Sequence, residues 1–189
     1  MIVLITEFFP FQNTLIIALI GSFIGQLIII CISLVKRKID LNRKKNMIIS
    51  DLKSQLKVLK LVSEKYFELK SMFQIRNVDC FTVSVFQTLQ LDIYQSVPKN
   101  ELYAIFKTKL FLLVDIYKSI EFIKQNSPYL VYSDYLIKSE LHFEETKDNS
   151  NHDKFCEAEL GFIEIAIKNI NNHMKTIVQI EDDIKKLII

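Results

Sequence analysis

The residues best suited to chemistry gather in one stretch: His142, Glu144, Glu145, His152, Asp153 and Cys156. Imidazole, carboxylate and thiolate together make the donor set of a transition-metal centre. Their spacing argues against one. The two histidines stand ten residues apart across the polar run EETKDNSNHD, without the short pair spacing that aims two ligands at one ion. They read as solvated surface residues, and no metal is expected.

Other routes to catalysis are as thin. The chain holds no P-loop, GxGxxG, HExxH or nucleophile elbow, and its three glycines leave little for a phosphate-cradling loop. His173 reads as a partly buried packing residue, and the pair Asp182-Asp183 as solvated surface near a helix end. Tyr129, Tyr132 and Tyr135 could form an interaction surface, since a tyrosine brings contact area and a polar tip, but they also suit the edge of a bundle. Cys31, Cys80 and Cys156 are widely spaced with no CxxC pair, so neither disulfide nor structural zinc is expected. The chain reads as a non-enzyme, with no cofactor and no small-molecule substrate.

Charge is unevenly placed. The net charge of +2 conceals six Lys/Arg against one acid within residues 36–45, which leaves 18 basic and 21 acidic side chains elsewhere. That remainder is mildly acidic and offers no footprint for nucleic acid.

The element that must position everything is residues 14–35, TLIIALIGSFIGQLIIICISLV, with no charged side chain. At about 1.5 Å per residue this run reaches roughly 33 Å, enough to cross a hydrocarbon core of about 30 Å as a helix. A signal peptide would place positive charge before the apolar run. Here only Glu7 precedes it, and Lys36, Arg37, Lys38, Arg43, Lys44 and Lys45 follow. The positive-inside rule therefore predicts a single-pass inner-membrane protein with residues 1–13 as a short outside tail and the rest cytosolic. Within the span, Gly21 and Gly25 form a GxxxG, extended by Ala18 and Ser22 and followed by Gln26. Small residues let two helices approach closely, so this face predicts span association.

Beyond the basic segment at 36–46, residues 47–189 read as an all-α bundle of about four to five helices. Glycine and proline are too scarce to favour sheets. Ile48, Leu52, Leu56, Leu59, Val62, Tyr66, Leu69 and Phe73 recur at helical steps and predict an amphipathic helix. It either continues the span or starts after a break at 39–46, where Asp40, Asn42 and Asn46 offer caps. A turn at 74–79 precedes a helix capped by Asp79 with Phe81, Val85, Phe86, Leu89 and Ile93 on one side. Asn100 then caps a helix striped by Leu102, Phe106, Leu110, Leu113, Tyr117 and Ile120, which Asn126-Ser-Pro128 stops. Residues 129–143 read as helix over strand, and 144–153 as a loop. The clearest period follows: Cys156, Leu160, Ile163, Ile167, Ile170, Met174, Ile177, Glu181, Ile184 and Ile188 form a heptad seam. Phe162, Ala166 and Ile180 add a second stripe, which predicts burial on two sides within a bundle rather than a two-stranded coiled coil.

The run Leu113-x-x-x-Tyr117-x-x-Ile120-x-x-Ile123, followed by Asn126, resembles a recurring helix in a loose group of uncharacterised bacterial proteins. Those proteins share the layout of one N-terminal span, a basic stop and a small helical cytosolic domain, and some are encoded beside phage-defence genes. The resemblance implies a defence or membrane-signalling setting and carries no catalytic residue. The function expected is a membrane-anchored interaction or regulatory protein that holds or signals to a cytosolic protein partner, alone or as a homo-oligomer. The alternative is a membrane effector that oligomerises through its span and disrupts the bilayer or its potential.

Overall fold

A computed structural model describes residues 3–76, 89, 91–146 and 152–188, with side chains from 16 onward except at 146 and 152–155. All six α-helices among the described residues confirm the all-α class, and 129–143 is helix, not strand. The chain divides into two compact units, Met1–Lys45 and Asn46–Ile189.

Helix α1, Val3–Ile75, contributes to both units. It is helical from Val3, ahead of the boundary expected at 14, and unbroken through 39–46. Asp40 does not cap a new start there; it pairs with Lys44 at 2.8 Å, one turn along the same helix. In the first unit the large apolar side chains of α1 from Ile16 to Val35 are all exposed. By length and composition this is the one helix among the described residues able to cross a membrane.

In the second unit α1 presents the predicted stripe. Ile48, Leu52, Leu59, Val62, Tyr66, Leu69 and Phe73 are buried and Leu56 is partly so. The helix stops at Ile75 because Arg76 turns into the left-handed region (φ 55°), donating its N–H to the Phe73 carbonyl. The predicted cap Asp79 and stripe residues Phe81, Val85 and Phe86 lie outside the described residues. Leu89 is buried, and Ile93 sits in the short α2, Asp92–Ser96, packed on the core.

The single helix expected from Asn100 to Ile120 is two. Helix α3, Lys99–Phe106, is separated by a 3-10 turn, Lys107–Lys109, from α4, Leu110–Gln125. Lys107 adopts φ 48°, an unusual angle for a side-chain-bearing residue, and this breaks the ladder without glycine or proline. Asn100 is not the cap. The Pro98 carbonyl accepts from Glu101 and Leu102, and Asn100 falls inside the first turn. The stripe survives the break, with Leu102, Phe106, Leu113, Tyr117 and Ile120 buried.

Helix α5, Pro128–Thr146, starts where predicted, with the Ser127 hydroxyl accepting from the Leu130 N–H and proline in the first helical position. Helix α6, His152–Ile188, packs against both α4 and α5. Two neighbours shift its buried arc. The core row is Ile163, Ala166, Ile170, His173, Ile177, Ile180, Ile184 and Leu187. Of the predicted seam, Ile163, Ile170, Ile177 and Ile184 belong to it, Ile167, Met174 and Ile188 flank it, and Leu160 stands 36% exposed.

Candidate binding site

A concavity of about 580 Å³ in the second unit is lined by the end of α4, by α5 and by α6. Its α6 wall is the row Phe162, Ala166, Asn169 and His173, at steps of four, three and four, so the four share one face. The small Ala166 leaves room that a larger residue would fill.

His173 forms the deep end. It is 6% exposed, with its ring between Tyr66 and Phe122, both centroids 5.4 Å away. Burial holds its pKa below the ordinary histidine value, so the imidazole is neutral near pH 7. Its Nδ1 is buried and has no hydrogen-bond partner among the described residues. Tyr66 is fixed in turn, its hydroxyl donating to the Asn126 carbonyl at the end of α4. The Asn126 amide donates to the Phe122 carbonyl at 2.9 Å, and both residues line the cavity.

Across the cavity, α5 supplies Leu130, Val131 and Tyr135, with Asp134 and Lys138 at 2.6 Å from one another. The Tyr135 hydroxyl donates to Glu159 at 2.8 Å and its ring meets Phe73 edge-on, pinning α5 to α6 and α1. Lys70 donates to Asn171 at 2.8 Å and closes the α1–α6 contact below. A second polar cluster is sealed in the core: Tyr117 donates to Asp51, which also accepts from Gln55, while Tyr94 stacks on Tyr117 at 4.2 Å.

The residues singled out from sequence fall elsewhere. Ala18, Gly21, Ser22, Gly25 and Gln26 lie on the exposed span of α1, and a Cβ added at either glycine would meet nothing within 4 Å. Lys36, Arg37, Lys38, Arg43, Lys44 and Lys45 follow on the same helix. His142 meets Phe162 edge-on at 5.9 Å, Glu144 and Glu145 are exposed at the end of α5, and Cys156 is exposed on α6. The side chains of His152 and Asp153 lie outside the described ones, and among the described residues no three metal-ligating groups converge. Sequence reasoning missed Gln125, Asn126, Asn169 and the pair Asp134–Lys138. The available signal was Asn169, a polar residue between Ala166 and His173 on an otherwise apolar face.

No protein-family model, no curated protein and no solved structure matches the chain. Its functional reading rests on geometry and composition.

Proposed function

We propose that this protein is a single-pass membrane anchor carrying a helical interaction unit, which holds a protein partner at the bilayer or relays its state to the span. One observation carries the reading: the charge-free run at 16–35 is helical, and none of its most apolar window is buried within the protein. That much contiguous apolar surface is a liability in water and the ordinary exterior of a helix in lipid. The six cations that follow support an orientation with the second unit in the cytosol, beneath the inner (plasma) membrane. Each near anionic lipid contributes about 1 kcal/mol.

The partner surface in this reading is the outer face of α5. Tyr129, Leu136 and an exposed Phe143 recur every seven residues, beside Ile137 and Leu141. Asp134, Glu140, Glu144 and Glu145 outnumber Lys138 on the same helix, so the face suits an apolar helix with basic flanks.

The test is membrane fractionation with topology reporters. The full chain should pellet with membranes and resist high salt. A reporter active only in the cytosol should work after Ile189 and stay silent before Met1. Recovery in the soluble fraction would overturn the anchor, and the reverse reporter pattern would overturn the orientation.

A second reading, the membrane effector, is favoured by the open backbone at Gly21 and Gly25, which leaves room for another helix. Induced expression with a potential-sensitive dye separates the two. Collapse of the potential supports the effector, and a steady potential supports the anchor.

A further inference from the structure

We propose that the groove between α4, α5 and α6 is a binding site for a neutral, flat nitrogen heterocycle of the nucleobase type, held by His173 and the amides around it. The inference is independent of membrane anchoring and was not anticipated from sequence, which predicts no small-molecule substrate.

Four observations converge. The volume of about 580 Å³ falls within the roughly 300–1,000 Å³ of small-molecule sites. The rings of Phe122, Phe162 and Tyr135 line it from three helices, offering flat apolar surface to an aromatic ring. Three of the polar groups are amides: Gln125 and Asn126 at the end of α4 and Asn169 on α6. An amide presents both donor and acceptor, which matches a ring edge carrying both and gives a purely apolar molecule no advantage. Charge is balanced in place, because Asp134 and Lys138 lie in an ion pair at 2.6 Å. A phosphate or carboxylate would have to break that pair to gain its cation. Neither charge waits there without a counter-ion, so the groove suits a neutral ligand.

His173 decides the chemistry. A buried ring nitrogen without a partner costs free energy, and nearly all such groups in folded proteins find one. The surrounding Tyr66 ring has its hydroxyl committed to Asn126, and Phe122 has no polar atom to give. His173 lines the groove, and a neutral imidazole offers one acceptor nitrogen to an N–H brought by a ligand and one donor.

The experiment uses the full chain in lipid nanodiscs with ¹⁵N-labelled histidine, titrated separately with adenosine and guanosine. At least one should saturate and shift the His173 ring signals. His173→Phe and Asn169→Leu should each weaken that binding at least tenfold. Asn169 is exposed, so its variant keeps the fold, and Phe at 173 suits the apolar rings around it. Thermal melts of both variants confirm that the helices persist. Failure of both nucleosides to saturate would overturn the proposal. So would binding that both substitutions leave unchanged.

Discussion

The Tyr117 hydroxyl donates to the Asp51 carboxylate at 2.6 Å inside the core, joining α4 to α1. Asp51 is 8% exposed on a face otherwise lined with Ile48, Leu52 and Leu59. Burial, followed by the carboxylate's hydrogen bond and charge, pushes the Tyr117 pKa well up, so the phenol stays protonated as a donor. Tyr117→Phe should cost about 1–3 kcal/mol, because the buried carboxylate loses a partner with no water to replace it. Asp51→Ala should cost more, since Gln55 loses its acceptor too. Thermal or denaturant unfolding of the full chain reads both. A neutral Tyr117→Phe would mean that the pair opens to water.

Stability should fall on acidification through His173. Its folded pKa lies below the unfolded value of about 6.5, so below that pH the unfolded chain binds a proton that the folded chain refuses. The loss begins near pH 6.5, steepens to at most about 1.4 kcal/mol per unit, and levels off once the folded imidazole is protonated. His173→Phe should remove this slope between pH 7 and 5. Comparing unfolding midpoints of the two proteins across that range isolates the contribution, because every other group is common to both.

The core row of α6 can be read by truncation. Ile177→Ala removes a side chain from a fully enclosed position and should cost about 2–5 kcal/mol. Leu160→Ala, on the predicted seam but exposed, should cost under about 1 kcal/mol, in keeping with surface positions. Equal costs would restore the seam inferred from sequence and displace the observed one.

Association through the span has a clean probe. Because a side chain at Gly21 or Gly25 meets nothing in the monomer, Gly21→Ile with Gly25→Ile should leave helix and insertion intact. Any loss of self-association then reports a contact between chains, which needs the small face for close approach. Crosslinking in native membranes measures it. Unchanged association would move the contact to the second unit.

Much of this fold is legible in the residues. Ile48 to Phe73 on α1 are buried as their spacing predicts, because one apolar stripe facing one core leaves a simple period. The α6 seam was half visible. Its row through Ile163, Ile170, Ile177 and Ile184 is right, but packing on both α4 and α5 centres the buried arc over Ala166, His173 and Ile180. No local signal marks that shift, since it depends on where the neighbours stand. The break at Lys107 was invisible because nothing in the residue type announces a φ of 48°, which lysine seldom adopts. The groove was hidden most completely. It is a gap between helices, and Asn126, Asp134 and Asn169 look like ordinary surface residues until the ends of three elements are brought together.

The contact between Lys70 and Asn171 has a consequence for how the protein is made. Its two ends lie 101 residues apart. At about 5–20 residues per second, the ribosome delivers the α6 side of that contact roughly 5–20 s after the α1 side. Throughout that delay the greasy flank of α1 around Tyr66, Leu69 and Phe73 waits without its final cover. A nascent chain in that condition is a natural client for a chaperone, and slowing elongation would lengthen its exposure.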